Sequence, residues 1–185
     1  MTVGLEYDPI ALADVQQIEQ GSLVHYVRGD ALMLPIPDQS FDVILCLQVY
    51  EHVADDVTLM DEIYRVLRPG GLVYFSGPNK LFPVEPHYHL MFLHWLPERA
   101  ANAYLRVAGK GKSYYERSRT FWGLRALTHR FELMDISGEV LRFRAAEAAP
   151  QFLYNIISRI PGRLLALLSP FLPNLNWILT KPHHQ

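Results

Sequence analysis

The sequence predicts an α/β fold, a doubly wound parallel sheet with helices on both faces. Apolar runs of strand length alternate with amphipathic segments of helix length, which is the pattern that such sheets require. The run 41–47 is apolar without alternation, as expected of a strand covered on both faces. With 185 residues, half of them hydrophobic, the chain has the size and balance of one globular domain.

The first half of the chain supplies the clearest elements. Strands are expected over 2–6, 24–27, 41–47 and 72–76. Asp8 and Pro9 are suited to cap and to open the first helix. A second helix is expected over 55–67, where apolar residues recur at helical spacing. The motif Arg68-Pro69-Gly70-Gly71 is expected to end that helix and to turn the chain into the next strand.

The second half is less regular. Residues 80–120 are rich in aromatic residues, histidine and proline, and helical periodicity returns there only around 97–107. Further along, the pattern predicts a helix over 121–128, strands over 131–136 and 139–143, a broken helix over 145–168 and a strand over 175–180. The irregular stretch is expected to be a lid or an insertion between elements of the core.

Composition and charge limit the possible partners. A formal net charge of −2 gives no electrostatic reason to expect a nucleic-acid partner. The single cysteine, Cys46, excludes an internal disulfide and suits a buried position in a cytoplasmic protein. The most apolar window, 152–173, is interrupted by Arg159, Arg163 and three prolines, so it is too short to span a membrane. It is expected to pack on the sheet, with peripheral membrane contact as the alternative.

The order of features from Arg28 to Asn79 carries a family resemblance. An acidic residue, a Pro-rich turn, a buried strand, an amphipathic helix, the Arg-Pro-Gly-Gly motif and another buried strand follow one another. Together with the segment 3–9, this order resembles the core of class I S-adenosylmethionine (SAM)-dependent methyltransferases of the type 11-like kind. The resemblance implies a Rossmann-like doubly wound sheet, SAM as cofactor, and methyl transfer to a small-molecule or lipid-like acceptor. It also implies three parts of one domain: a partial SAM-binding core (1–79), a variable substrate region (80–130) and C-terminal strands and helix (131–185).

Acidic residues at two strand ends are the first candidates for cofactor contact. By the resemblance, Glu6 would accept hydrogen bonds from the ribose and Asp30 would accept one from the adenine amino group. Without the resemblance, the alternative for Glu6 is a solvated acid at a strand end, and for Asp30 a turn-forming residue. The cofactor-binding residues that the resemblance implies are Glu6, Tyr7, Asp30, Ala31, Leu47 and Gln48.

Three histidines are the candidates for catalysis. His52 follows Glu51 at a strand-to-helix turn, where it could be a general base or simply a turn residue. His87 and His89 flank Tyr88, and an extended segment would place both on one face. They could deprotonate an acceptor hydroxyl, bind a metal or hydrogen-bond within a loop. Too few ligands can be placed for a metal site, so none is predicted.

The family's first strand and its Gly-rich loop precede the acidic second strand, and this sequence starts at the second. In the family's sheet the first strand lies between the second and the fourth, so its absence would leave a gap between these two strands. That gap is expected to be closed by direct pairing of the two strands, by another chain, or by residues upstream of a gene start placed too late. SAM binding and turnover by the 185 residues are therefore expected to be impaired. Two other classes stay open: a non-catalytic binding or scaffold protein and a dinucleotide-dependent oxidoreductase. The acceptor and the oligomeric state are not readable from the sequence.

Overall fold

The computed structural model describes residues 1–18 and 23–183. The strands are β1 (Thr2–Glu6), β2 (Val24–Arg28), β3 (Phe41–Leu47), β4 (Leu67–Pro78), β5 (Val84–Glu85), β6 (Leu90–Met91), β7 (Glu132–Asp135) and β8 (Asn174–Thr180). The α-helices are α1 (Pro9–Ile18), α2 (Asp56–Val66), α3 (Glu98–Val107), α4 (Phe121–Leu127), α5 (Ser137–Ala148), α6 (Gln151–Arg159) and α7 (Gly162–Leu168). Two short 3₁₀ helices cover Leu93–Trp95 and Ser169–Phe171. No helix in the described part of the chain is long and apolar enough to cross a membrane.

The strands of the described residues form two main sheets and a hairpin. β1 and β2 pair in parallel, and the four-stranded sheet has the order β3-β4-β8-β7. β3 and β4 are parallel, whereas β8 runs antiparallel to both β4 and β7. The α/β class is as predicted, but the sheet is mixed: β8 enters between β4 and β7 and pairs antiparallel with both, where the alternation of strands and helices predicts parallel pairing. β5 and β6 form a separate short hairpin.

One face of the four-stranded sheet carries the main hydrophobic core. Cys46, Phe75 and Trp177 point into it and are packed with side chains of α2 and α4. The opposite face is open along β3, where Val43, Leu45 and Leu47 are 59%, 66% and 43% exposed. The prediction that 41–47 is covered on both faces is therefore wrong for the described residues. An uninterrupted apolar run does not by itself reveal whether a second layer covers the strand.

Helix α2 begins as its sequence predicts and ends earlier. Asp55 caps it, because Asp55 Oδ1 accepts hydrogen bonds from the amides of Val57 and Thr58, both at 3.1 Å. Leu67 is already extended, with φ −79° and ψ 135°, so the motif 68–71 lies within β4 and does not end the helix. A positive φ of 78° at Gly70 preserves the predicted turn in the backbone.

The segment 139–143 is helical, which corrects the prediction of a strand. It lies inside α5, whose first amide, that of Ser137, donates to Asp135 Oδ1 at 2.9 Å. Glutamate, leucine, arginine and alanine dominate the helix, and these residues have high helix propensity. The hydroxyl of Ser137 also accepts the amide of Asn176 at 2.9 Å, which fixes the start of α5 against β8.

The two-stranded sheet is attached to the rest of the protein through the loop after β2. Leu34 donates its amide to Glu62 Oε2 at 2.7 Å, and Arg65 donates to the carbonyl oxygens of Leu34 and Ile36. Ala31 and Leu32 pack against the main core. These contacts hold the loop after β2 against helix α2 and the main core.

Candidate functional site

The first two predicted cofactor residues lie at one edge of the small sheet. Glu6 ends β1, and its Oε1 accepts the amide of Asp8 at 2.9 Å. Asp30 follows β2, and its Oδ1 accepts the amide of Leu32 at 2.9 Å. Since β1 and β2 are parallel neighbours, both carboxylates lie at the carboxyl ends of the strands, where α/β sheets bind nucleotides. The amide of Gly29 donates to Glu6 O at 3.0 Å and ties the two ends together.

The remaining predicted cofactor residues do not all lie at the edge that carries Glu6 and Asp30. Tyr7 is largely exposed beside Glu6, while Ala31 packs toward the core. Leu47 and Gln48 follow each other at the end of β3, in the other sheet. Gln48 has a φ of 54°, its amide donates to Ser76 O at 2.8 Å, and its Nε2 donates to Ser76 Oγ at 3.2 Å. The structure thus fixes Gln48 to the end of β4, and no hydrogen bond of the described residues joins it to Glu6 or Asp30.

A buried carboxylate lies three residues beyond Gln48. Glu51 is fully buried, and among the described residues neither of its carboxylate oxygens accepts a hydrogen bond. Burial raises the pKa of Glu51 to about 7; its own backbone N–H and, to a smaller extent, His87 oppose this rise, and the acids Glu116 and Glu85 add to it. A buried acid without a partner is costly to a fold, so this residue calls for a functional explanation.

Two of the three predicted histidines meet at Glu51. The Nε2 atoms of His52 and His87 each lie 3.9 Å from Glu51 Oε1. Their rings meet edge to face with centroids 4.9 Å apart. Burial, and next the neighbouring His87, lower the pKa of His52. The structure therefore brings together His52 and His87, which the sequence offered as separate candidates.

His89 does not join them. The segment 86–89 is the tight turn between β5 and β6, closed by the amide of His89 donating to Glu85 O at 2.9 Å. His89 itself has a φ of 54°, so the chain is not extended there. The expectation that His87 and His89 share one face of an extended segment is wrong, because a hairpin turn intervenes.

Further polar groups surround the two histidines. Glu85 is buried; its Oε1 lies 2.7 Å from His87 Nδ1, and its Oε2 accepts the amide of Tyr88 at 2.7 Å. Glu116 is also buried, and with burial it raises the pKa of Tyr88 to about 12. We call the set Glu51, His52, Glu85, His87 and Glu116 the acid–histidine cluster.

The cluster is held by the loop that precedes α4. Arg117 donates its amide to Glu51 O at 2.9 Å, which lays this loop along the β3–α2 turn. Tyr50, buried next to Glu51, donates its hydroxyl to Pro78 O and accepts the amide of Arg119 at 3.1 Å. The cluster thus forms where the ends of β3 and β4, the hairpin and this loop converge.

Sequence reasoning did not single out Glu51, Glu85 and Glu116 as candidates. The only local signal for Glu51 was its place between an aromatic residue and a histidine after a buried strand. Glu85 and Glu116 carried no signal, because their roles depend on contacts between segments that are far apart in the sequence. Chemically, the cluster offers carboxylate and imidazole groups that can accept a proton or hold a cation.

The first part of this chain is similar in sequence to known methyltransferases. Residues 1–75 match the Methyltransferase domain family. A ubiquinone biosynthesis O-methyltransferase of Pseudomonas putida is 40% identical over 74 residues, which cover 39% of this chain and 32% of that protein. A probable S-adenosylmethionine-dependent methyltransferase of Mycolicibacterium smegmatis is 39% identical over 79 residues, covering 43% of this chain and 30% of that protein. The matched segment spans about a third of the length of these relatives.

Solved structures extend the likeness to the whole fold. A SAM-dependent methyltransferase of Mesorhizobium loti superimposes with a TM-score of 0.56 at 18% identity, covering 96% of this chain and 79% of that one. The PH0226 protein of Pyrococcus horikoshii does so with a TM-score of 0.59 at 12% identity, covering 97% and 71%. The architecture is that of the class I SAM-dependent methyltransferases. Through residues 1–75 the chain is related in sequence to the Methyltransferase domain family, as the order of motifs predicts.

Proposed function

We propose that this chain binds SAM at the carboxyl ends of its first strands and takes part in methyl transfer to a small-molecule hydroxyl. One observation carries the proposal. The segment related to methyltransferases contains both Glu6 and Asp30, and these carboxylates lie at neighbouring ends of two parallel strands. The printed names of the relatives, O-methyltransferases among them, support the choice of a hydroxyl acceptor.

The residues present fit the adenosyl part of SAM. Glu6 and Asp30 each use one carboxylate oxygen in a local turn, and the second oxygen accepts no hydrogen bond from the described residues. Those oxygens can accept hydrogen bonds from ribose hydroxyls and from an adenine amino group. Leu47 and Gln48, at the end of β3, would lie against the methionine part.

The acid–histidine cluster would receive the acceptor. SAM supplies the methyl group when it is bound, so the protein has to orient the acceptor oxygen and take up its proton. Glu85 holds the Nδ1 side of His87, which leaves Nε2 as the free ring position. That nitrogen faces Glu51 across 3.9 Å, and an acceptor hydroxyl could reach it from the exposed side of the ring.

Titration of the full chain with SAM tests the proposal. Ligand-observed NMR with SAM up to millimolar concentration detects weak as well as tight binding. Removing one charged acceptor, in Glu6→Gln or Asp30→Asn, should weaken SAM binding about tenfold, since hydrogen bonds to charged groups contribute about 1.5–3 kcal/mol. Asp42→Asn is the matched control, because Asp42 is exposed and bonded to Arg68. Absence of saturable SAM binding, or equal binding by all three variants, would contradict the proposal.

A lipid-like acceptor would suit the surface of α6 and α7. Phe152, Ile156 and Leu167 are exposed there, as is Phe171 in the 3₁₀ helix that follows α7, and Arg159 and Arg163 lie between them in the sequence. We propose that this surface rests on anionic membranes, since apolar and cationic residues together favour the lipid interface. Co-sedimentation with phosphatidylglycerol vesicles should fall for Phe152→Ser and Arg159→Gln. Equal sedimentation of these variants and the wild type would exclude this surface as the contact.

A further inference from the structure

Glu51 is the feature of the structure that the proposed methyl transfer leaves unexplained. Its side chain is fully inaccessible to solvent, and neither oxygen accepts a hydrogen bond from any described residue. No lysine or arginine among the described residues forms an ion pair with it; its ion-pair contacts are with His52 and His87, at 3.9 Å each. A buried carboxylate without a partner either holds a proton or binds a cation.

We infer that Glu51, His52 and His87 form a binding site for a divalent transition metal ion of the Zn²⁺ type. One donor atom from each of the three residues lies within 4.8 Å of the other two. One carboxylate and two imidazoles are a donor set that Zn²⁺ takes in catalytic sites, where a fourth position stays open. Donors bound to one Zn²⁺ at about 2.0–2.2 Å lie roughly 3.3 Å apart in a tetrahedron. The observed distances of 3.9 Å from Glu51 Oε1 to both histidines need only small side-chain rotations to reach this spacing.

The neighbours of His87 fit a metal ligand. Histidines that bind metals usually donate their other ring N–H to a carboxylate or a carbonyl, which fixes the tautomer and the ring orientation. His87 Nδ1 lies 2.7 Å from Glu85 Oε1, and Glu85 is itself fixed by the amide of Tyr88. Glu85 is therefore a positioning residue, which turns the Nε2 lone pair of His87 toward Glu51.

Charge and access also favour a cation at this place. The buried carboxyl groups of Glu51, Glu85 and Glu116 surround the two histidines, and no lysine or arginine among the described residues forms an ion pair with them, so the site favours a cation. His52 and His87 are partly exposed, with 38% and 27% of their side-chain surface accessible, which leaves a path for the ion and an open coordination position. Glu51 and His52 lie inside the segment related to methyltransferases, whereas Glu85 and His87 lie outside it.

The open position would take the acceptor oxygen. An ion there would polarise the hydroxyl and lower its pKa, which would make the oxygen a better nucleophile toward a methyl donor. With the ion bound, His87 Nε2 would hold the ion and would not take up the proton, which would pass to solvent at the exposed side of the histidines. This role rests on the proposed function, but the binding of the ion does not. SAM binding and metal binding are therefore measured separately.

Isothermal titration of the tag-free full chain with Zn²⁺ alone tests the inference, and Co²⁺ absorption reports the geometry. We expect one ion per chain, and loss of about 100-fold or more in affinity in Glu51→Gln or His87→Gln. Glu85→Gln should weaken binding about 10- to 100-fold, the range for loss of a residue that orients a ligand. His89→Gln is the matched control, a nearby histidine outside the donor set, and should stay within about twofold of the wild type.

The possible failures can be separated. If Glu51→Gln does not fold, as judged by circular dichroism, the partly exposed His52→Gln and His87→Gln variants decide the result. No Zn²⁺ binding by the wild type, or an equal loss in His89→Gln, would overturn the inference. If the chain binds SAM but not Zn²⁺, the metal site is wrong and the proposed function stands. If it binds Zn²⁺ but not SAM, the proposed function is wrong and the metal site stands.

Discussion

Arg119 and Asp56 form a two-pronged ion pair that joins the loop before α4 to the first turn of α2. Arg119 Nη2 lies 2.6 Å from Asp56 Oδ1, and Nε of the same guanidinium donates to Oδ2. Asp56 is mostly buried, so solvent screens this pair less than a surface pair. The pair closes the loop over the turn that carries Glu51 and His52, and thereby supports the acid–histidine cluster.

We expect this ion pair to contribute measurably to stability. In a double-mutant cycle of Arg119→Gln and Asp56→Asn, the coupling free energy should be about 1–2 kcal/mol, because the pair is bidentate and partly buried. Urea denaturation of the four proteins gives this value. The same cycle on the exposed pair Arg68 and Asp42 is the control and should give below about 0.5 kcal/mol. Equal coupling in the two cycles would mean that burial of Asp56 has no effect.

Tyr50 should be needed for its hydroxyl as well as for its ring. In Tyr50→Phe, Pro78 O loses a donor and Arg119 N loses an acceptor, while the ring can keep its place in the core. Leaving these buried groups unsatisfied should cost about 1–3 kcal/mol in the free energy of unfolding. Chemical denaturation measures the loss. A variant as stable as the wild type would show that the two hydrogen bonds contribute nothing net.

The two faces of the four-stranded sheet should tolerate substitution very differently. Leu45→Gln alters the open face and should change the free energy of unfolding by less than about 0.5 kcal/mol. Phe75→Ala opens a cavity in the buried face and should cost about 3–5 kcal/mol. Thermal and urea unfolding compare the two. A large loss in Leu45→Gln would indicate that this face is covered in solution.

His94 should make stability fall toward acid pH. Burial lowers the pKa of His94 below its ordinary value of 6.5 in the folded protein, and its Nε2 lies 2.7 Å from Phe82 O. Its charged neighbours are Glu85 and Lys80. Because the unfolded chain binds the proton more tightly, the contribution of His94 is complete above pH 6.5 and is lost as the pH falls toward the folded-state pKa.

Replacing His94 should remove this contribution. The stability difference between the wild type and His94→Gln, measured by urea denaturation, should shift against the wild type between about pH 7.5 and about pH 5. Other titrating groups are common to both proteins and cancel in the difference. A difference independent of pH would mean that the pKa of His94 is the same in the folded and unfolded chains.

The elements that sequence reasoning predicts well are those whose signals are local. The cap at Asp55 depends on amides two and three residues away, and the apolar spacing of α2 is contained within its own turns. The place of Glu6 follows likewise from a short apolar run that stops at this acid, and that of Asp30 from a strand over 24–27 followed by a Gly-Asp turn. Local chemistry therefore gives the order of elements and the places of these two carboxylates.

The features that escape prediction depend on contacts between distant segments. The antiparallel entry of β8 beside β4 pairs Leu72 with Thr180, which no periodicity reveals. His87 reaches Glu51 because Glu85 and the hairpin turn orient it, and a spacing rule for histidines carries no such information. Whether a face of β3 is open depends on which other segments pack against it, and the apolar run 41–47 contains no information about those segments.

The division of the strands into two sheets has a consequence for motion. Among the described residues, the ladder between β1 and β2 shares no rung with β3, and its attachment runs through the loop that Glu62 and Arg65 hold. A part of a protein that is held by few contacts can open locally while the rest stays folded. The amides of Gly4 and Tyr26 can therefore exchange with solvent deuterium while those of β4 and β8 stay protected. Detaching this loop from α2 would free the strand ends that carry Glu6 and Asp30 before the larger sheet unfolds.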